Sequence, residues 1–248
     1  MTSDHDQRFK LLLKEFLPEF FQLFFPEWAK QFEFDQTEWL DTEAFSDPPQ
    51  GDRRMLDLVA KLKRTEPEKS KPDSKKDSSK WLSLIHIEVE SATSIAPLRR
   101  RMHRYYTDLR QRHDLPVLPV AIYLKVGLDG IGVDEYHEAF NSFEILHFRY
   151  LYVGLPHLDS VKYSKEKNIL SSALAGLMKT PSGLKPRRKA DAFEEISVSD
   201  YNDFQKYLLL ECLEAYFDLK RPQQKEFEQL LDTEEYQGAK KMAITTHE

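Results

Sequence analysis

The spacing of apolar residues changes several times along the chain, and each change predicts a different element. From Phe9 to Phe24, leucines and phenylalanines recur at steps of three and four residues, which is the helical pattern. Pro18 lies inside this run and predicts a break into two helices. Over 54–62, apolar residues fall at every second position, which is typical of a strand.

The middle of the chain continues in the same way. Residues 81–90 and 117–126 are predicted to be buried strands, and a fourth strand is predicted within 143–153. Residues 94–112 carry an apolar stripe at helical spacing. The stripe consists of Leu98, Met102, Tyr105 and Leu109. Strand, strand, helix, strand is the order of an α/β core in which a crossover helix joins two parallel strands.

The remaining segments are more polar or more helical. Residues 64–80 contain no aliphatic or aromatic side chain, so we expect a flexible loop between two strands. Helices are predicted at 163–178, 200–219 and 223–231. The basic segment 180–189 is predicted to be a loop, and 236–248 a polar tail.

Length and composition narrow the class of protein. The chain has 248 residues and a formal net charge of −6, which fits one globular domain with an appendage or two small domains. Its single cysteine, Cys212, excludes a disulfide framework and a cysteine-rich zinc module. No leader and no run of about 18 apolar residues is visible, so we expect a cytoplasmic protein without membrane contact. Only 8 glycines are present, in no phosphate-cradling pattern, which disfavours an ATPase or a Rossmann enzyme.

Three carboxylates interrupt the predicted core strands. Asp57 lies in the first strand, and Glu88 and Glu90 lie in the second. A carboxylate in a core strand is costly to desolvate unless a positive group pairs with it. If the two strands form a hairpin, Asp57 comes beside Glu88, and alternation puts Glu88 and Glu90 on one face of the sheet.

Two interpretations of these carboxylates are open. Clustered carboxylates suit a hard divalent cation such as Mg²⁺, which polarises a phosphate and lowers the pKa of a bound water. The same groups could instead face solvent or pair with arginines, of which 99–104 offers several. His86 shares the face of Glu88 and could orient a ligand, or it could be an ordinary satisfied strand residue.

The order of these segments also carries a family resemblance. The segments are Asp4-His5-Asp6-x-x-Phe9-Lys10, Leu23-Phe24-Phe25-Pro26-Glu27, Leu56-Asp57-Leu58, Ile87-Glu88-Val89-Glu90-Ser91 and Arg101-x-x-Arg104-Tyr105. Together they resemble the PD-(D/E)XK nuclease superfamily. More narrowly, the chain is similar to the Rpn-type (YhgA-like) recombination-promoting nucleases, which are also described as transposases.

The resemblance implies both a fold and an activity. It implies a restriction-endonuclease-like mixed sheet flanked by helices, as a nuclease-like domain at 4–178 with the polar insert at 64–80. A helical C-terminal extension at 190–235 and the polar tail would follow. The implied activity is Mg²⁺- or Mn²⁺-dependent hydrolysis of DNA, linked to recombination or mobile elements. Asp57 and Glu88 would then bind the metal.

Glu90 departs from the pattern of the superfamily. It stands where the superfamily has a lysine and where Rpn-type proteins often have a glutamine. A lysine orients the attacking water and offsets charge on the phosphate, whereas a glutamate adds negative charge. We expect Glu90 to tune the site or to bind a second ion, and Arg99, Arg101 or Arg104 to supply the missing cation. The alternative is a catalytically impaired nuclease fold that serves as a DNA-binding or protein-interaction module.

Two basic segments are candidates for contact with DNA. Arg99, Arg101 and Arg104 lie on the predicted helix 94–112, where they could hold phosphates or form a solvated basic face. The segment Lys185-Pro-Arg-Arg-Lys189 is more typical of an exposed loop than of a DNA contact. The apolar helix predicted at 200–219 could support a homodimer.

Overall fold

The structure is a computed structural model and describes residues 2–41, 45–46, 53–54, 57–65, 82–90 and 96–245. The described residues form two compact units, one from 1–23 with 155–248 and one from 24–154. The domain predicted at 4–178 takes in the whole second unit and parts of the first. The polar insert predicted at 64–80 lies almost wholly outside the described residues.

The elements alternate between strands and helices in the middle of the chain and are helical at both ends. The strands are β1 (Phe32–Trp39), β2 (Phe45–Ser46), β3 (Arg53–Arg54), β4 (Leu58–Arg64), β5 (Leu82–Glu90), β6 (Val117–Tyr123), β7 (Gly130–Phe140) and β8 (Phe143–Gly154). The helices are α1 (Thr2–Glu15), α2 (Leu17–Phe24), α3 (Pro26–Ala29), α4 (Ala96–His113), α5 (Ser160–Tyr163), α6 (Ile169–Ala173), α7 (Lys185–Ser197), α8 (Asp203–Tyr216), α9 (Arg221–Leu231) and α10 (Gln237–Thr245).

The second unit contains a six-stranded mixed sheet in the order β1-β4-β5-β6-β8-β7, and β2 pairs separately with β3. Strands β4 and β5 are antiparallel, whereas β5, β6 and β8 run parallel to one another. Parallel neighbours need a crossover, and α4 supplies it between β5 and β6. The predicted α/β class, with a mixed sheet flanked by helices, is confirmed.

Strand β7 lies in a segment for which the sequence analysis predicted no strand. It pairs with β8 from Gly130 opposite Gly154 to Phe140 opposite Phe143, as an antiparallel hairpin. The two-residue connection contains Asn141 at φ 54°, a left-handed conformation that asparagine tolerates well. The signal that could have indicated the hairpin is this asparagine between two alternating segments.

Helix α4 packs on the sheet through its predicted apolar stripe. Leu98 and Met102 are fully buried in a cluster with residues of β6 and β8. Tyr105 and Leu109 pack against Val59 and Leu84 in a second cluster. Burying a side chain of this size stabilises the fold by about 1.5–3 kcal/mol, so the stripe fixes which residues of α4 face the sheet.

The N-terminal and C-terminal helices differ from the predicted ones in their boundaries. The break between α1 and α2 falls at Phe16 and not at the residue directly before Pro18, because proline is tolerated in the first turn of α2. The helix predicted at 163–178 is divided into short helices. Lys167 adopts a left-handed φ of 50°, and the Asn168 side chain then caps α6 by accepting a hydrogen bond from the backbone N–H of Leu170.

Two predictions about the C-terminal part are corrected. The basic segment 185–189 is the start of α7 and not a loop, and its Arg188 and Lys189 side chains are buried. The tail predicted at 236–248 contains α10, since Tyr236 and Ala239 bury their apolar surface. Among the described residues, no helix has both the length and the apolar character needed to cross a membrane.

Gly176 tests the packing within the unit formed by 1–23 and 155–248. A Cβ atom added at Gly176 would lie 2.5 Å from the backbone nitrogen of Phe217, whereas one added at Gly183 would meet nothing within 4 Å. We expect Gly176→Ala to destabilise the protein by about 1–3 kcal/mol. The matched Gly183→Ala should stay within about 0.5 kcal/mol of the native protein in urea unfolding followed by circular dichroism. Equal unfolding midpoints would contradict the close approach.

Candidate functional site

The hairpin of β4 and β5 brings Asp57 and Glu88 together. Leu58 pairs with Ile87, so Asp57, in the bend just before β4, lies beside Glu88. The backbone N–H of Asp57 donates to Glu88 Oε1 at 3.2 Å, and the N–H of Val89 donates to Asp57 Oδ2 at 2.7 Å. The prediction that the hairpin brings Asp57 beside Glu88 is confirmed.

Glu88 and Glu90 both point toward α4. Alternation along β5 places them on one face, and they are only 4% and 7% exposed. Removing a carboxylate from water costs several kcal/mol unless hydrogen bonds and a positive charge replace its hydration. The chemistry available to Glu88 and Glu90 therefore depends on where the compensating positive charge lies.

Arg101 of α4 supplies that charge. Its Nη2 donates to Glu90 Oε2 at 2.5 Å, and its Nε lies 3.8 Å from Glu88 Oε2. Burial opposes the charge on Arg101, but Glu88 and the hydrogen bond to Glu90 outweigh burial and raise the pKa of the guanidinium. One cation therefore bridges both glutamates.

His86 contacts the Glu88 oxygen that does not face Arg101. Its Nε2 is 2.9 Å from Glu88 Oε1, and its ring packs edge-on against Tyr105 with the centroids 5.5 Å apart. The histidine is fully buried. Glu88 Oε1 thus contacts both His86 and the Asp57 N–H, while its Oε2 faces Arg101, so the carboxylate is held from both sides.

A second ion pair lies further along the same sheet face. Arg99 donates through Nε to Asp134 Oδ2 of β7 at 2.9 Å, and the hydroxyl of Tyr150 donates to the same oxygen. Burial raises the pKa of Asp134, but the hydrogen bonds from Arg99 and Tyr150 outweigh it and leave that pKa below its usual value. Burial and Asp134 both raise the pKa of Tyr150. Arg99 therefore joins α4 to the β7–β8 hairpin.

The helix arginines thus have different surroundings. Arg101 contacts the two glutamates, which is the pairing with an arginine that the second interpretation of the carboxylates expects, whereas Arg99 contacts Asp134. Arg104 lies on the same helix and is half-buried. Direct contact of these arginines with DNA stays a prediction.

Tyr123 adds a neutral phenol beside the acidic pair. It is the register partner of Glu90 in the parallel pairing of β5 and β6, and it is fully buried. Burial raises the pKa of Tyr123 to about 12, so its hydroxyl keeps its proton at neutral pH. The predicted site did not include Tyr123, Asp134 or Tyr150. Their side chains come together only because β6, β8 and β7 are neighbours in the sheet.

The donor set decides which group the site could hold. Mg²⁺ is usually bound by one or two carboxylates together with several waters. Asp57 and Glu88 meet this requirement, and both are fixed by backbone or side-chain hydrogen bonds. Glu90 is paired with Arg101. Within the described part of the chain, the three carboxylates do not bring three ligand atoms within 4.8 Å of one another.

The chain was also compared with known proteins. Neither protein-family models, nor curated proteins, nor solved structures gave a significant match. The residues of the site and their geometry are the basis for assigning its chemistry.

The Arg99–Asp134 pair predicts how stability depends on pH. Because the folded state lowers the pKa of Asp134 below 3.8, its contribution is present above that pH and is lost as the pH falls through the folded-state pKa. We expect Asp134→Asn to destabilise the protein by about 1–3 kcal/mol at pH 7. The difference in unfolding free energy between the native protein and the variant should be constant down to about pH 5 and shrink below about pH 4. Urea unfolding at several pH values measures it, with the exposed Asp35→Asn as the control.

A deficit that stays unchanged on acidification would mean that Asp134 stabilises the hairpin by packing alone.

Proposed function

We propose that the chain is a metal-dependent DNA endonuclease whose active site is built on Asp57, Glu88 and Arg101. The supporting observation is that two buried glutamates and an aspartate lie together at the end of the β4–β5 hairpin, with an arginine paired to both glutamates. This arrangement agrees with the resemblance to the Rpn-type nucleases and with a restriction-endonuclease-like sheet. A role in recombination or mobile-element movement and a cytoplasmic location belong to the same proposal.

Asp57 and Glu88 would hold the metal ion, Mg²⁺ or Mn²⁺. When bound, such an ion lowers the pKa of a coordinated water and stabilises negative charge on the phosphate. The backbone N–H of Val89 keeps the Asp57 carboxylate at the strand end, and His86 orients Glu88 through Oε1. Both carboxylates are therefore fixed before any ion or DNA arrives.

Arg101 would take the part of the superfamily's lysine. Glu90, at that position in the sequence, cannot carry positive charge, but it holds Arg101 by a direct hydrogen bond. A guanidinium is always charged and binds a phosphate through two parallel hydrogen bonds. Arg101 would contact the scissile phosphate while its hydrogen bond to Glu90 keeps it at the site. Glu90 is then a positioning residue.

One observation favours the alternative function. Arg101 pairs with both Glu88 and Glu90 in the structure. A chain that has lost catalysis could keep these carboxylates as a structural ion pair and use the fold only to bind DNA or another protein. The two functions differ in whether a divalent ion stabilises the folded protein, since only a ligand that binds the folded state does so.

The first prediction concerns cleavage. Purified protein should nick plasmid DNA in Mg²⁺ or Mn²⁺ and not in EDTA. Asp57→Asn and Glu88→Gln should abolish nicking because each removes one metal-binding charge while keeping the shape of the side chain. The matched controls Asp35→Asn and Glu33→Gln change exposed carboxylates of β1 and should leave nicking unchanged.

Folded native protein that cuts in no metal, yet binds DNA in a salt-dependent way, would support the binding module instead.

The second prediction separates the role of Arg101 from metal binding. Arg101→Ala should lower the nicking rate about 100-fold or more, as when a charge-stabilising donor is removed. It should retain the rise in melting temperature that Mn²⁺ produces, because the carboxylates are intact and lose a competing cation. Arg101→Lys should recover part of the rate.

If Arg101→Ala loses the Mn²⁺-dependent stabilisation together with nicking, Arg101 only supports the fold of the site.

A further inference from the structure

A second cluster of potential ligands lies on the β7–β8 hairpin, on the sheet face opposite Asp134 and Tyr150. His137 of β7 pairs directly with His147 of β8, and Glu135 precedes His137 by two residues on the same face. The side chains are 45%, 39% and 40% exposed, respectively, so an ion from solvent could reach them. Within the described residues, this is the group of three whose ligand atoms all lie within 4.8 Å of one another.

The distances in this cluster match the edges of a tetrahedral metal site. Glu135 Oε2 lies 3.1 Å from His137 Nε2 and 3.2 Å from His147 Nε2. A tetrahedral zinc ion with bonds of about 2.0–2.1 Å holds its ligand atoms about 3.3 Å apart. The rings of the two histidines are stacked with their centroids 4.2 Å apart, and both Nε2 atoms face Glu135 Oε2.

The groups behind the cluster resemble the outer shell of a metal site. His137 Nδ1 lies 3.0 Å from Glu144 Oε2, an arrangement in which a metal-binding histidine donates its other ring N–H to a carboxylate. Arg149 Nε lies 3.2 Å from Glu135 Oε1, the oxygen that does not face the histidines. The two contacts would fix the tautomer of His137 and the orientation of Glu135.

We propose that Glu135, His137 and His147 bind a zinc ion, with a water as the fourth ligand. Two imidazoles and one carboxylate suit Zn²⁺ and its transition-metal neighbours, whereas Mg²⁺ prefers oxygen ligands alone. The ion would join the two strands of the hairpin near its tip. The site is independent of Asp57 and Glu88, because it uses other strands and the opposite face of the sheet.

Metal titration of the purified protein tests this proposal. Protein freed of metal with EDTA is titrated with Zn²⁺ against a chromophoric chelator. One zinc site should be lost in His137→Ala and in His147→Ala. That site should persist in His157→Ala, which removes an exposed histidine elsewhere, and in Asp57→Asn. Glu144→Gln should weaken zinc binding by about 10- to 100-fold.

Co²⁺ titration provides a second readout that does not depend on stability. Co²⁺ at the site should give the visible absorption of tetrahedral coordination, and His147→Ala should remove it while the circular dichroism spectrum stays native. The proposal is overturned if the folded native protein binds no Zn²⁺, or if both histidine variants bind it as tightly as the native protein. In that case the cluster is a network of hydrogen bonds between histidines and glutamates.

Discussion

The burial of Glu88 and Glu90 on a core face of the sheet is the constraint on which the site depends. Two carboxylates on one strand face repel each other and lose most of their hydration, and the fold compensates both with Arg101. Because Arg101 lies on the crossover helix, the ion pair and the apolar stripe of α4 must fit the sheet in one register. The chemistry of the site and the position of α4 are therefore coupled.

The same helix makes a second connection of this kind through Arg99 and Asp134. The free-energy cost of removing a carboxylate from water is again offset by a guanidinium of α4, with Tyr150 as a second donor. Two charges of one helix thus bind two separate parts of the sheet, the β4–β5 hairpin and the β7–β8 hairpin. For the proposed nuclease, this means that Arg101 can exchange partners while Arg99 and the apolar stripe keep α4 in place.

The parts that the sequence predicted are those set by local periodicity. The stripe of α4, the hairpin that joins Asp57 to Glu88 and the crossover between parallel strands all follow from spacing, and the structure has them. Which of the two arginines pairs with the glutamates, Arg101 or Arg99, depends on where each falls around α4 relative to the sheet. The spacing of residues along the sequence does not determine this. Asp134 was missed because β7 itself was missed. Arg188 and Lys189 were misjudged because a buried basic residue looks like a surface one until its partners are known.

In the proposed nuclease, Asp57 and Glu88 hold a divalent ion, and Arg101 contacts the same Glu88. The most direct test is a crystal of the protein grown with Mn²⁺, measured at a wavelength where manganese scatters anomalously. We predict an anomalous peak between Asp57 and Glu88, with Arg101 turned away from Glu88 and still bonded to Glu90. No peak at these carboxylates at saturating Mn²⁺, with Arg101 still bridging both glutamates, would contradict the account and leave the site a structural ion pair.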